Sequence, residues 1–311
     1  MLVIAMRVRL GYVSISMAIS ATTSSPYTYS EYLKSGDLKK LDDVITSNLL
    51  NLEKIVNYNI KNNIHFYRIS SKIIPLATKD DVTFDYISKY SRYYERIGKK
   101  IEDNKMRVDF HPDQYTVLNS TNSTVLTNSM KILEYHYNLL NALNIKDKLL
   151  VIHVGSGVFG KENSIKRFIN NFKKLPSYIQ EIISIENDDK LFNVEDCLKI
   201  SKILDIPLVL DYHHYNCNKS YLDIKSVFDS WNGRVPKVHF SSPKNSKDFR
   251  SHSEYINSDD FICFIDVIKG FNMDVDVMIE AKAKDDALFR LVRELKYKTN
   301  YKFVDETTFE V

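Results

Sequence analysis

The sequence predicts a single α/β domain, residues 1–311, closed as an eight-stranded (β/α)8 barrel with a metal site at the C-terminal face of its strands. Three observations predict it. Strand-like and helix-like segments alternate along the chain. Eight short apolar runs read as strands buried on both faces, as a helix-covered parallel sheet requires. Six of those runs end in a metal-type ligand, and in a parallel barrel such ends converge on one mouth.

The strands are expected at 8–13, 64–69, 106–110, 148–153, 181–186, 207–211, 235–240 and 275–280. RVDF runs into His111, LLVI into His153, IISI into Glu186, PLVL into Asp211, PKV into His239 and DVMI into Glu280. Between them, residues 38–62 place Leu41, Val44, Ile45, Leu49, Leu52, Ile55 and Val56 at helical spacing, and 124–143 and 284–296 follow the same period. Asn193 is the expected N-cap of a helix over 193–204, with Glu195 and Asp196 at the positive end of its dipole. An open doubly wound sheet would carry a Gly-rich phosphate loop after its first strand, and LGYVSIS holds one glycine. Segments 14–36, 70–83, 111–123 and 241–257 are then mouth loops, the walls of a substrate groove.

Composition narrows the class. A barrel of this kind takes about 250 residues and tolerates insertions, so 311 residues need no second domain. With 8 Gly and 7 Pro, long flexible linkers are not expected. A net charge of +3 permits a nucleic-acid partner without requiring one. Cys197, Cys217 and Cys263 are scattered with no CxxC, which fits a reducing cytoplasm. The opening MLVIAM is too short to span a membrane and lacks a signal cleavage site; Met6 is an alternative start.

A single His after a strand is ordinarily a structural hydrogen-bonding residue. Several of them with three strand-terminal carboxylates differ, because carboxylates aimed at one another in a low-dielectric mouth repel unless protons or cations compensate. Divalent ions compensate most simply. His214, three residues past Asp211, can turn toward a neighbouring ion, whereas His213 diverges and reads as structural or supporting. His65 lies at the wrong barrel end and His136 within a helix, so both read as structural. His252 falls in the loop after the seventh strand. Histidine and carboxylate ligands without thiolates suit zinc or manganese, and enough of them for two or three ions suit phosphodiester chemistry.

Taken in order, LGYVS at 10–14, FYRISSKIIPLAT at 66–78, FHPDQYTVLNS at 110–120, VIHVGS at 151–156, ISIENDDKLFNVEDCL at 183–198, VLDYHH at 209–214, PKVHFSSP at 236–243 and DVMIEAKAK at 276–284 cover nearly the whole chain. With these segments the chain resembles the UV damage endonucleases, a TIM-barrel DNA-repair family related to the apurinic-site endonucleases. The resemblance implies a centre of up to three divalent ions, Mn2+ first, with Zn2+ or Mg2+ as alternatives. His111, His153 and Glu186 would hold one ion. Glu186 would bridge to a second with Asp211, His239 and Glu280, and His214 and His252 would hold the third. Lys237 falls on the family lysine that can be carboxylated and bridge two ions. Gln114 and Tyr115 match a pair that probes the lesion, and Tyr12 a further active-site tyrosine. Glu186, Lys237, Glu280 and Tyr12 are thus the implied catalytic set.

Two positions depart from the family pattern. Lys79 stands where members carry His; a charged lysine cannot replace a neutral imidazole ligand but can contact a phosphate. Ser16 stands where some members have Asn and reaches less far toward DNA.

The implied activity is hydrolysis of the phosphodiester immediately 5′ of a cyclobutane dimer or 6-4 photoproduct in double-stranded DNA. Water activated at the metal centre would leave 3′-hydroxyl and 5′-phosphate ends, and the damaged stack is cheaper to unpair. Lys72, Lys244, Lys247 and Arg250 are candidates for holding the backbone. The protein is expected to be an intracellular, nucleoid-associated monomer. The alternatives are a divalent-metal sugar isomerase or epimerase on the same barrel, an apurinic-site endonuclease, or a lesion-binding module with a structural metal. A Gln-Tyr pair beside the metals favours an open groove over a closed sugar pocket, and structural zinc sites stop at four ligands.

Overall fold

All eight expected strands form, each within a few residues of its expected bounds. A computed structural model describes residues 5–311; the first four residues of the apolar opening lie outside the described residues. The strands are β1 (Arg7–Val13), β2 (Phe66–Arg68), β3 (Arg107–Asp109), β4 (Leu150–His153), β5 (Ile183–Glu186), β6 (Leu208–Asp211), β7 (Lys237–Phe240) and β8 (Val275–Ile279). They run parallel in the order β3-β2-β1-β8-β7-β6-β5-β4. Phe110 closes the seam between β3 and β4: its N–H donates to Leu149 O at 3.2 Å and its carbonyl accepts from Val151 N at 3.0 Å. The architecture is a single-domain (β/α)8 barrel.

One main helix follows each strand: α1 (Leu38–Lys61), α2 (Ser91–Asp103), α3 (Ser123–Ala142), α4 (Lys161–Phe172), α5 (Val194–Leu204), α6 (Ile224–Asp229), α7 (Ser258–Ile268) and α8 (Lys284–Lys298). Asn193 caps α5 as expected, accepting from Asp196 N while the Asp196 carboxylate accepts from Asn193 N, both at 3.1 Å. On α1, Leu41, Ile45, Leu49, Leu52, Ile55 and Val56 are buried, the stripe its periodicity predicts. Fully burying one such side chain stabilises by about 1.5–3 kcal/mol. None of the described helices is long and apolar enough to cross a membrane.

A C-terminal hairpin went unread in the sequence. Strands β9 (Lys302–Phe303) and β10 (Thr308–Glu310) are antiparallel, and β10 pairs with the start of β1, Arg7 opposite Glu310. Tyr301 stacks on Phe309 there at 5.1 Å.

Alternation along each strand decides which side chains fill the barrel. Val8, Leu10 and Tyr12 pack outward into the core shared with the helices, whereas Val13, Phe66 and Met278 form a separate buried cluster. Gly11 is required where β1 meets β2, since a Cβ there would lie 2.2 Å from the Phe66 carbonyl oxygen. Charge inside the barrel is paired. Asp276 accepts from Arg9 Nε at 2.6 Å and Nη2 at 2.7 Å and from Arg107 Nη1 at 2.8 Å, and Asp109 takes the fully buried Lys237. Each of these charges would be costly to leave alone at such depth.

Candidate metal centre

The strand ends deliver their ligands to one place. Glu186, at the end of β5 and 1% exposed, is the hub. Its Oε2 lies 2.6 Å from His111 Nε2 and 3.6 Å from His153 Nε2; its Oε1 lies 2.7 Å from His239 Nδ1 and 3.7 Å from His214 Nδ1. Register explains the meeting: β4 pairs with β5 so that His153 sits beside Glu186, and β6 pairs with β7 so that Asp211 sits beside His239. Glu280, the residue after β8, brings Oε1 within 3.3 Å of His239 Nδ1. Three overlapping ligand triads result: His111–His153–Glu186, Glu186–Asp211–His214 and Asp211–His239–Glu280, the ligand atoms within each lying within 4.8 Å of one another.

His214 reaches the cluster through a short helix, Tyr212–Cys217, capped by Asp211, whose Oδ1 accepts from His214 N at 2.7 Å. That turn aims the His214 ring inward, with Nδ1 3.0 Å from Asn187 O. The other oxygen, Asp211 Oδ2, is buried without a hydrogen-bond partner. Such an orphan oxygen between imidazoles and carboxylates suits a cation. The donor set of imidazoles and carboxylates fits divalent Mn or Zn, and the triads name the side chains that would hold the ions.

Electrostatics agree with that fit at His111, His153 and His239. Burial, reinforced by the nearby Arg68 charge, pushes His111 down to about 4, and burial also lowers His153 and His239. Neutral imidazole is the form that binds a metal. Burial raises Asp211 to about 6. Burial opposes charge on His214 as well, but Asp211, Glu186 and Glu280 override it and raise His214 to about 9. Glu280 is held well below the carboxylate range: burial works the other way, and the Arg68 guanidinium outweighs it.

Two further charged groups went unread in the sequence. Arg68, on β2, donates from Nη1 to Glu280 Oε1 at 2.6 Å and from Nη2 to His239 Nε2 at 2.6 Å. Asp109, two residues before His111 on the same face, pairs with Lys237 and lies 3.5 Å from Arg68 Nε. Parity within the strand, with 109 matching 111 and 68 matching the inward Phe66, was the available signal.

The remaining expected residues fall in several places. Lys237 lies in the barrel interior, one inward step below His239; burial lowers its amine to about 8, and Asp109 is its partner. It belongs to none of the three triads found among the described residues. His252 is likewise outside them, its ring 6.4 Å from that of His214 and 5.5 Å from that of His213. Gln114 and Tyr115 are exposed beside the cluster, Tyr115 at 72%. Gln114, Gly155 and Lys190 line a groove of about 600 Å³ that reaches His153 and His214. Lys79 is exposed, its ammonium 4.9 Å from the Tyr29 ring centroid, and lines an adjoining depression of about 560 Å³ with Tyr115.

Two expectations need correction. Tyr12 is not at the mouth. It points outward, its hydroxyl donating to Asn59 Oδ1 of α1 at 2.8 Å, because the inward positions of β1 are those of Gly11 and Val13. Ser16 is also withdrawn from the groove: it is 2% exposed and donates to Asp285 Oδ2 at 2.6 Å, which docks the first mouth loop onto the start of α8. His136, by contrast, sits where its helical position implied, with Nδ1 2.7 Å from Ile132 O.

Comparison with known proteins places this geometry in a family. The family model described as UV-endonuclease UvdE matches residues 8–309. A UV DNA damage endonuclease of Bacillus cereus (strain 03BB102) is 38% identical over 316 residues, covering 98% of this chain and 100% of that protein. A UV DNA damage endonuclease of Bacillus thuringiensis subsp. konkukian (strain 97-27) is 37% identical with the same coverage. The crystal structure of SacUVDE is similar with a TM-score of 0.86 and 36% identity, covering 93% of this chain and 98% of that one. Endonuclease IV from Thermus thermophilus, at a TM-score of 0.56 and 14% identity, shares the fold alone, as does an L-ribulose 3-epimerase at 0.55 and 14%. With the family model spanning nearly its whole length, the chain belongs to the UV-endonuclease UvdE family.

Proposed function

We propose that the protein is a metal-dependent endonuclease that nicks UV-damaged double-stranded DNA immediately 5′ of the photoproduct, leaving 3′-hydroxyl and 5′-phosphate ends. The observation that carries this reading is the position of Glu186, within hydrogen-bonding or ion-pair distance of four histidines at the floor of an open mouth.

His111, His153, Glu186, Asp211, His214, His239 and Glu280 would hold the ions, with His252 completing a site beside His214. Mn2+ is the proposed metal. Bound divalent ions supply Lewis acidity to the scissile phosphate and lower the pKa of a coordinated water. The protein's own groups do the rest. Glu186 and Asp211 place negative charge where cations must gather, and neutral His111 and His153 present lone pairs without a competing proton. Gln114 and Tyr115 stand exposed on the rim, where Gln can occupy hydrogen-bonding space left by a displaced base and Tyr can stack against it. Lys72, Lys79, Lys244 and Lys247 are exposed on mouth loops and can hold phosphates on either side. The groove is open, which suits a duplex better than a small sugar.

The test is nicking of UV-irradiated supercoiled plasmid with added Mn2+. Relaxation of irradiated but not unirradiated plasmid, lost in Glu186→Gln, supports the proposal; undiminished nicking by Glu186→Gln overturns it.

A further inference from the structure

We infer that Phe159, on the loop after β4, is a further DNA contact: its exposed ring stacks on an unpaired base at the lesion and serves DNA binding, not the chemical step. The contact rests on the DNA-nicking reading and extends its lesion surface from the loop after β3 to the loop after β4.

Phe159 is 73% exposed and Val158 beside it 47%, so the fold gains little from either side chain. The backbone of Phe159 is also in a conformation that a bulky residue adopts only at a cost. Gly160 N donates to Gly157 O at 3.0 Å, and Phe159 takes the second central position of that turn with φ +64°. Positive φ at that position calls for Gly or Asn, since a Cβ there crowds the following carbonyl. Among the described residues Phe159 is the only aromatic at positive φ. Glycine stands at 155, 157 and 160 of the same loop, yet an aromatic holds the exposed, strained position. A strained side chain that neither the core nor the turn requires points to a partner outside the chain.

The loop is braced in place. Ser164 Oγ lies 3.1 Å from Val158 O and 2.9 Å from Gly160 O, and Asn163 Nδ2 donates to Phe159 O at 2.9 Å. Arg167 donates from Nη2 to Val158 O and from Nε to Asn119 O at 3.0 Å. Asn119 exchanges two further bonds with Ser156, donating from Nδ2 to its carbonyl at 2.6 Å and accepting from its N–H at 2.9 Å. Asn119 belongs to the loop that carries Gln114 and Tyr115, so the two loops are tied together. Gly155, Ser156 and Leu191 line the groove that reaches His153 and His214, and Gly157 packs so closely on Leu191 that a Cβ would lie 2.4 Å from its Cδ2. The occupant is therefore the DNA that lies over this groove. A phenyl ring has no group to read a base edge, but it stacks on any base whose face is bared, and a photoproduct weakens the pairing that covers those faces. Arg167 Cζ, 6.0 Å from the Phe159 ring centroid, and Lys190 on the groove wall put positive charge beside it for the phosphates.

Steady-state nicking of a duplex carrying one cyclobutane dimer, with Mn2+ present, tests this together with the melting temperature. Phe159→Ala should raise KM by about tenfold, within the range for loss of one base stack, and leave kcat unchanged. Phe159→Tyr keeps the ring and should hold KM near wild type. Phe159→Leu keeps apolar bulk without a π face and should behave like Phe159→Ala. Phe159→Gly should raise KM to the same extent yet melt no lower than wild type, because glycine takes this turn position without strain. Unchanged KM in Phe159→Ala, a fall in kcat alone, or a Phe159→Gly protein that melts well below wild type overturns the inference, while nicking by wild type leaves the DNA reading standing. Wild type that leaves the dimer duplex uncut overturns both.

Discussion

His111 and Glu186 meet at 2.6 Å across the intervening strand β4, tying the end of β3 to the end of β5. Glu186 shares its two oxygens among four imidazoles, so it is the carboxylate on which the centre depends. Glu186→Gln keeps the shape and removes the charge. The substitution should lower bound Mn2+ and cut nicking of irradiated plasmid by about 100-fold or more, beyond the range for groups one layer outside the ligands. Metal content after dialysis and nicking rates check it together.

Tyr115 presents an aromatic face to solvent, which costs nothing to remove from the fold. Tyr115→Ala should leave the melting temperature within the spread of surface substitutions, about 0.5 kcal/mol. It should weaken binding to a duplex carrying one photoproduct by about 1–3 kcal/mol, the range for loss of one base stack. Fluorescence anisotropy at fixed salt measures this, and affinity equal to wild type would remove Tyr115 from the lesion interface.

Tyr12 carries the opposite expectation. Its hydroxyl bonds Asn59 behind the barrel wall, so Tyr12→Phe should cost about 1 kcal/mol of stability, the net worth of one hydrogen bond, and leave nicking unchanged. Urea denaturation with parallel nicking assays separates the two effects; a large loss of nicking at full metal occupancy would return Tyr12 to the active site.

His136 supplies a pH dependence apart from the ligands. Burial pushes it down to about 4 from an ordinary 6.5, so the folded protein keeps it neutral where the unfolded chain protonates it. The unfolded state then binds more protons, and stability falls as pH drops from about 6.5 toward 4, by about 3 kcal/mol at most. His136→Leu should flatten that acid limb, measured as melting temperature against pH. An unchanged slope would mean that His136 protonates in the fold.

The barrel was legible because its strands are short apolar runs buried on both faces, and each charged end stood out against its run. LLVI before His153 and PLVL before Asp211 show this directly. The same double burial hid parity. With both faces apolar, nothing in LGYVS told inward from outward, and Tyr12 was placed at the mouth although Gly11 and Val13 hold the inward positions. Arg68 and Asp109 stayed hidden for a related reason: a charge inside an expected strand shows no role until a counter-charge on another strand is brought to it. Asp109 is separated from Lys237 by 128 positions and Arg68 from Glu280 by 212. The burial of Ser16 is invisible in the sequence because its partner Asp285 lies 269 residues away, at a helix start with no visible link to the first loop. The β9–β10 hairpin is not legible because strands of two and three residues carry too little alternation to show a period.

The decisive measurement is a nicking assay on a duplex oligonucleotide carrying one cyclobutane dimer at a fixed position, end-labelled on the damaged strand, with Mn2+ and with a chelator. A single cut at the phosphodiester immediately 5′ of the dimer, with a 3′-hydroxyl that a polymerase extends, abolished by the chelator and restored by Mn2+, is the expected result. Cutting elsewhere, cutting that persists in the chelator, or equal cutting of the undamaged duplex would contradict it.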